Sequence, residues 1–334
     1  MNKANMLKCI FWCFFASAVA FSASGVAIAR PLNTFHQGLV ELRNKKYHIA
    51  KFDFLESANH NYAPAEYMLA TLYLKGVGGQ VDYRDALTWY EKSARQGYTL
   101  AQRALGIMYE QGMGVPKNVD VAYYWARRAA EQHNAQAELT LGMFYVKGIG
   151  VVKSNRAAFH FFKLAAQQGN AAAEVLVGFM YEHGEGIERN YTKALHWYLA
   201  SAVQGDIHAE YHAGYMYVKG MGVIRSYTKA FSLFHASAEG GDDIGEYDLG
   251  IMYEKGFAVS RNMQTAYKWF RMAAHGKYAR AENQLALMYA RGVGTRANHR
   301  KALKWFRMAS SQGYHPASYN LKAIGNKWSK DNGG

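Results

Sequence analysis

Beyond its first 13 residues the chain contains no cysteine, because Cys9 and Cys13 are the only two among 334 residues. The remainder can therefore form no disulfide and no thiolate metal site, and it cannot use a cysteine nucleophile. Proline is also scarce, with 4 in the whole chain. No apolar run after the N-terminal segment reaches the roughly 18 residues that a membrane-spanning helix needs.

Acidic residues are the scarcer charge, with 25 Asp+Glu against 39 Lys+Arg and a net charge of +14. Half of all residues are apolar, which excludes a disordered tail protein, and no Gly-X-Y period is present, which excludes a collagen-like fibre. Residues 30–260 are balanced, with 23 basic and 23 acidic residues, whereas 261–307 hold 11 basic residues against the single acid Glu282. The positive charge therefore belongs to the C-terminal part, where an anionic partner is expected.

Residues 1–29 have the pattern of a secretory signal peptide. Lys3 and Lys8 are the only charges, an apolar run covers residues 9–20, and an A-x-A cleavage signal ends at Ala29. We expect cleavage before Arg30 and export to the periplasm or beyond. The alternative is an uncleaved anchor in the inner membrane, since residues 9–29 are just long enough to span a bilayer.

A glycine recurs every 36 residues, seven times without slippage, at Gly76, Gly112, Gly148, Gly184, Gly220, Gly256 and Gly292. Two residues later comes a second glycine or, once, an alanine: Gly78, Gly114, Gly150, Gly186, Gly222, Ala258 and Gly294. A fixed period of this length predicts a repeat protein in which each unit is one supersecondary element.

Within one unit the pattern predicts two antiparallel helices joined by the G-x-G turn. The first helix of residues 65–97 has one apolar face, formed by Ala65, Leu69, Leu72 and Tyr73. The second helix has another, formed by Ala86, Trp89, Tyr90 and Ala94. The unit ends at Gly97, where glycine suits a left-handed helix cap. Small first-helix residues such as Gly106 should let the partner helix approach closely, and the tryptophan position is expected in the core.

One helix pair cannot bury its own apolar face, so neighbouring units must share a core. The sequence thus predicts an all-α fold, an α-solenoid that forms a right-handed superhelix. Its expected divisions are the signal peptide (1–29), a degenerate N-terminal capping repeat (30–62), seven repeats (63–313) and a C-terminal capping helix and tail (314–334).

The repeated residues resemble the Sel1-like repeat, a relative of the tetratricopeptide repeat. One unit matches its first half with Ala101, Leu105, Gly106, Tyr109, Gly112, Gly114 and Val115. Another matches its second half with Lys193, Ala194, Trp197, Tyr198, Ala202 and Gly205. Departures such as Ala258, His133 and Lys277 raise the question of how tight those turns are. The resemblance implies an adaptor that assembles envelope complexes, regulates cell-wall enzymes or contributes to host-cell entry and virulence.

Two short motifs invite a chemical interpretation. Ser226-x-x-Lys229 has the spacing of the penicillin-binding nucleophile, but it lacks the S-D-N and K-T-G partners and recurs one repeat earlier without a serine. A β-lactamase-like hydrolase is therefore only the third hypothesis, and neither an enzyme nor a cofactor is predicted. His208 and His212 are four residues apart, but Glu210 is not where an H-E-x-x-H zinc site requires it, so no metal is predicted.

Positions that the repeat leaves variable are the better candidates for function. First helices line the concave wall of related solenoids, and their variable residues there resemble a protein-binding groove. The predicted groove consists of Tyr67, Arg103, Phe179, Tyr211, Tyr215, Tyr247 and Tyr319. The alternative is that these side chains only fill gaps between repeats.

The basic C-terminal repeats form the second predicted site, placed on second helices one repeat apart. Its residues are Lys268, Arg271, Arg300, Lys301, Lys304 and Arg307. An acidic protein, an anionic membrane or a polysaccharide would fit this patch, whereas an ordinary solvated helix surface is the alternative. Nucleic acid is not expected as a partner of an exported chain. Overall we predict a monomeric scaffold that binds proteins, with anionic-surface binding as the alternative function.

Overall fold

In a computed structural model, residues 29–331 are described, and within this range the chain is entirely helical, with 17 α-helices and no strand. The predicted signal peptide lies outside the described residues, apart from its last residue. Two compact units divide between Phe161 and Phe162. No helix within 29–331 combines the length and the apolar character that crossing a bilayer requires.

Each helix of a repeat is close to 13 residues long. The first unit contains α1 (Ala29–Arg43), α2 (Tyr47–Asn59), α3 (Ala63–Lys75), α4 (Tyr83–Arg95), α5 (Thr99–Gln111), α6 (Val119–Ala130), α7 (Ala135–Lys147) and the start of α8 (Asn155–Gln167). The second unit contains the rest of α8, then α9 (Ala171–His183), α10 (Tyr191–Val203), α11 (Ile207–Lys219), α12 (Tyr227–Glu239), α13 (Asp243–Lys255), α14 (Met263–His275), α15 (Ala279–Arg291), α16 (His299–Ser311) and α17 (His315–Asp331).

Within each unit, helices that are consecutive in the chain pack against each other. The helix pairs α3/α4 and α5/α6 show this in the first unit, and α9/α10 to α15/α16 show it in the second. Each pair is one first helix, one G-x-G turn and one second helix. This arrangement confirms the predicted all-α solenoid of helix-turn-helix repeats.

Both glycines of the turn have a physical role. The first ends the first helix in the left-handed conformation, with φ between +63° and +75° in all seven repeats. The second lies against the preceding repeat: a Cβ on Gly114 would come 2.5 Å from the carbonyl oxygen of Tyr83, at the start of α4. A side chain at Gly114 would therefore have to displace the backbone of Tyr83.

The residues that replace glycine keep the glycine backbone. Ala258 has φ +62°, and His133 and Lys277 have φ +54° and +70°. Their turns are thus as tight as the others, although a left-handed conformation costs a residue with a Cβ about 1–2 kcal/mol.

Close helix packing within a repeat also depends on glycine. A Cβ on Gly178 would lie 2.9 Å from the Tyr198 ring, and one on Gly250 would lie 2.7 Å from the Phe270 ring. Both rings are fully buried. The tryptophan position differs from the prediction: only Trp305 is buried, whereas Trp89 is half-buried at the edge of the core. The reason is that the residue after the tryptophan, such as Tyr90 after Trp89, points directly at the first helix and takes the buried place.

Second helices begin with a recurrent side-chain cap. The Asn118 carboxamide oxygen accepts a hydrogen bond from the backbone N–H of Val121, and Asn190, Asn262 and Asn298 cap their own helices in the same way. Such a cap satisfies a helix-end N–H and stabilises a helix by about 1 kcal/mol. The cap also explains why these second helices begin directly after the turn.

The turn geometry predicts unequal effects for two glycine substitutions in the first unit. Gly114→Ala should lower the free energy of unfolding by about 2–4 kcal/mol, because strain from φ +70° adds to overlap with Tyr83. Gly97→Ala, the matched control, has φ +87° but no atom within 4 Å of its Cβ, so it should cost about 1–2 kcal/mol. Urea denaturation followed by circular dichroism measures both, and equal losses would contradict this account of the turn.

Candidate protein-binding surface

The predicted groove residues fall into both compact units. In the first unit, the ring of Tyr67 packs against Tyr90 and Tyr98, with centroids 5.6 and 5.4 Å away. Arg103 is half-buried, and its Nε has no hydrogen-bond partner. Tyr67 is half-buried, so part of its ring fills the space beside the core and part stays exposed.

In the second unit three groove tyrosines lie on neighbouring first helices. The rings of Tyr211 and Tyr215, one helical turn apart on α11, are 6.3 Å apart. Tyr247 on α13 packs against Phe270 at 5.5 Å and against Tyr278 at 5.3 Å. All three tyrosines are half-buried, so one part of each ring belongs to the core and the rest stays exposed.

The two remaining groove residues are placed differently. Phe179 on α9 stacks on His183 of the same helix, with centroids 4.1 Å apart. Tyr319 on α17 is 76% exposed and lies on the last helix of the described residues. Tyr211 lies next to Tyr215, and Asp248 and Tyr278 interact electrostatically with both Tyr211 and Tyr247. We call these three tyrosines, Tyr211, Tyr215 and Tyr247, the tyrosine face.

A carboxylate that the sequence analysis missed lies beside the tyrosine face. Asp248 occupies a first-helix position where other repeats have Met68, Ala104 and Leu176, so the repeat does not require an acid there. Burial raises the pKa of Asp248 to about 6, against the opposing effect of Arg280 and Lys219. Burial and the Asp248 charge likewise raise the pKa of Tyr247 to about 12. The available signal was that no other repeat has an acid at this position.

A small pocket opens next to Asp248, between α11, α12 and α13. Its volume is about 150 Å³, and its walls are mostly apolar and aromatic. The lining residues are Tyr215, Val218, Lys219, Tyr227, Phe234, Asp248, Ile251, Met252 and Phe257. Aromatic walls with one or two polar groups are typical of a recognition pocket.

Buried acids also recur at the N-terminal ends of the first helices, a pattern that the sequence analysis did not use. Where a glutamine follows 30 residues later, its amide donates to the acid, as Gln96 does to Glu66 at 2.6 Å and Gln204 does to Glu174 at 2.8 Å. In the repeat around α13 that position is Gly276, and Oε2 of the buried Glu246 has no partner. Burial, together with Asp243 and Asp242, raises the pKa of Glu246 to about 7.

Glu246 should therefore make stability depend on pH. Its ordinary pKa of 4.5 applies to the unfolded chain, so folding favours the protonated form, and this contribution is lost as the pH rises through about 7. Glu246→Gln stays neutral and should gain about 1–3 kcal/mol at pH 8 but far less at pH 5. Denaturation at both pH values measures the gain. The control variant Glu239→Gln, at an exposed position, should show no gain. An equal gain of Glu246→Gln at both pH values would contradict the view that the ionised carboxylate is buried.

The basic patch is exposed throughout, on α14 and α16. None of its six residues forms an ion pair within the described part of the chain. Lys301 differs from the other five, because its Nζ lies 5.3 Å above the Tyr289 ring. Lys193 and Lys229 make the same contact in their own repeats, at 5.5 and 5.2 Å. Lys301 is thus a recurrent repeat residue as well as a member of the patch.

The motif residues have structural partners. Ser226 Oγ accepts the backbone N–H of Lys229 at 3.3 Å and caps α12, so Ser-x-x-Lys here is a helix cap. His212 stacks on Tyr198 with centroids 4.8 Å apart, whereas the Nδ1 of His208 lies 4.0 Å from Asp242. Among the residues that the structure describes, no group of three or more His, Cys, Asp or Glu side chains could hold a metal ion.

Comparison with known proteins agrees with this architecture. The Sel1 repeat model matches seven consecutive segments between residues 63 and 314. The crystal structure of c5321, described as a protective antigen present in uropathogenic Escherichia coli strains displaying an SLR fold, is 31% identical with a TM-score of 0.79. The match covers 97% of this chain and 67% of that one. A Sel1 repeat protein from Oxalobacter formigenes is 30% identical, with a TM-score of 0.71 and coverage of 88% and 87%.

A search of curated proteins returned no match. The family nevertheless follows from the seven repeat matches and from the two similar structures, and its all-helical fold is typically a non-catalytic scaffold. The chain belongs to the Sel1 repeat family, whose members are generally protein-interaction scaffolds.

Proposed function

We propose that this chain acts as an exported, monomeric scaffold that binds other proteins through the first helices of its second unit. One observation carries the proposal: Tyr211, Tyr215 and Tyr247 are held by the core on one side and exposed on the other. These helices form part of the wall that we interpret as the concave binding face.

Such rings suit protein recognition for an energetic reason. A tyrosine that already packs against Phe234 or Phe270 has lost its side-chain entropy on folding, so binding does not have to restrict it again. Its free part still offers a large contact area and a hydroxyl group. Tyrosine is accordingly enriched among the residues that dominate binding energy at interfaces.

The proposed setting is the bacterial periplasm or the secreted space. The signal-like residues 1–29 support export, and the likeness to an antigen of uropathogenic E. coli supports a surface or host-facing role. Within that setting we propose envelope-complex assembly, regulation of cell-wall enzymes, or host interaction and virulence. Retention in the inner membrane by an uncleaved segment is the alternative.

Site-specific photo-crosslinking tests the binding face without removing an aromatic ring. The full chain is expressed in a Gram-negative host with Tyr215→benzoylphenylalanine, and a matched variant carries Tyr124→benzoylphenylalanine on α6. Tyr124 is an exposed tyrosine, but it lies on a second helix. We expect discrete crosslinked products from position 215 and none from 124, because only first helices take part in binding. Mass spectrometry of the recovered chain should show Arg30 as its first residue.

The added change Tyr211→Ala, in a variant with an unchanged circular dichroism spectrum, should reduce the crosslinked product at least about fivefold. Products that form equally at 124, or that persist with Tyr211→Ala, would argue against the tyrosine face. A chain that retains residues 1–29 would instead favour the anchored alternative.

The basic patch supports a second candidate, binding to an anionic lipid or polysaccharide surface. Its six side chains are exposed, and four of them recur at matching positions on two second helices, Lys268 with Lys304 and Arg271 with Arg307. Each basic residue near an anionic membrane contributes about 1 kcal/mol, and salt screens the attraction. An acidic protein surface would satisfy the same charges.

Vesicle sedimentation tests this candidate. Wild-type chain should bind vesicles containing phosphatidylglycerol at 50 mM salt, and neutralising Lys268, Lys304 and Arg307 to Gln should reduce binding about tenfold or more. Neutralising Arg84, Lys92 and Arg95 on α4 is the matched control and should change little. Binding that survives 0.5 M salt, or that falls equally in both triple variants, would rule out an electrostatic patch.

A further inference from the structure

The pocket between α11, α12 and α13, which we call the Asp248 pocket, has the chemistry of a receptor for a cationic side chain. We propose that it binds a lysine or arginine of a basic segment in a partner protein, with Asp248 as the counter-ion. This inference rests on the proposed protein-binding function and names the partner chemistry that the tyrosine face selects.

The pocket walls fit the stem and the head of such a side chain. Val218 and Ile251 provide aliphatic surface, against which the methylenes of lysine or arginine pack. Tyr227 and Phe257 stack on each other at 4.6 Å with their planes 10° apart, forming one rigid aromatic wall. The Tyr215 ring supplies a second wall, and the faces of such rings attract cations.

Asp248 is the acid that this pocket requires. It is half-buried, and within residues 29–331 its carboxylate is shown in neither an ion pair nor a hydrogen bond. Partial removal of a carboxylate from water is unfavourable, and a cation with its own donors would offset this cost. Since the corresponding residues are Met68 in one repeat and Leu176 in another, the fold itself has no need of an acid here.

The Tyr215 wall of the pocket already holds one cation, the ammonium group of Lys219. Its Nζ lies 5.4 Å above the Tyr215 ring, but the side chain is exposed and carries four rotatable bonds. It can therefore move aside for a partner cation, whereas Asp248 is held in the pocket. The other charges that act on Asp248 are Arg280, which favours its ionised form, and Asp242, which opposes it.

The charges that line the pocket favour a basic partner over an acidic one. Asp248 is the only acid among the lining residues and Lys219 the only base. A basic side chain that takes the place of Lys219 gains the attraction of Asp248, whereas an acidic one is repelled by it.

Methyl NMR of the whole chain tests the pocket directly. Met252 lines it, so its labelled methyl group reports on the occupant, and Met288, which does not line the pocket, is the internal reference. Met252→Leu and Met288→Leu assign the two signals. The probe is Nα-acetyl-arginine amide, and the matched control is the citrulline analogue, which has the same shape without the charge.

We expect the Met252 signal to shift saturably with the arginine probe and about five- to tenfold more weakly with the citrulline analogue. Asp248→Asn should weaken arginine binding by a similar factor, whereas Lys219→Met should strengthen it about two- to threefold by removing the competing cation. Raising the pH from 5 to 7.5 should strengthen binding to wild type but not to Asp248→Asn, since Asp248 ionises in this interval.

Equal shifts from both probes, or unchanged affinity with Asp248→Asn, would overturn the assignment. Self-association of the chain that shifts Met252 and disappears with Asp248→Asn would assign the pocket to a second copy and would also overturn it. The arginine titration needs no partner protein, so its failure is distinguishable from failure of the crosslinking that tests the scaffold function.

Discussion

The close contact between each G-x-G turn and the preceding repeat is the constraint on which the stacking depends. At Gly114 the missing side chain leaves room for the Tyr83 carbonyl, and at Gly222 it leaves room for the backbone of Tyr191. Within each unit, the turn at these glycines touches the start of the previous second helix, which sets how closely the two repeats approach. The shared core, with fully buried rings such as Phe270, follows from that spacing.

Once the turns and the core are constant, the remaining positions are free to differ, and several such differences lie near the candidate site in the second unit. Gly276 replaces a glutamine whose amide elsewhere donates a hydrogen bond to a buried acid, which leaves Oε2 of Glu246 without a partner. A first-helix position that is Met68 or Leu176 in other repeats is Asp248 in this one. The first helices there become acidic and aromatic, while α14 and α16 carry exposed basic residues. The two charge types therefore lie on different helices, a property that the net charge of the chain conceals.

Two short sequence patterns suggested reactive or binding roles, and the contacts of their side chains give each a structural role. Ser226-x-x-Lys229 has the spacing of a nucleophile motif, but the hydroxyl caps a helix and the ammonium faces Tyr217. Lys301 belongs to the basic patch by sequence, and its contact with Tyr289 identifies a residue that the repeat itself uses. In both cases the deciding partner is a backbone N–H or a ring that no motif specifies. The repeat columns, in contrast, were readable because each recurs seven times.

By itself the sequence determined the helix pairs, the turns and the family, because periodic glycines and apolar faces depend on local geometry and on one repeated contact. Only the tertiary structure decided that Tyr67, Tyr211 and Tyr247 are half-buried and that Asp248 lies in a pocket. Burial is set by side chains from several helices, and desolvation of a carboxylate depends on all of them together. Neither quantity is encoded in the period of the sequence, so the candidate site became visible only when the repeats were stacked.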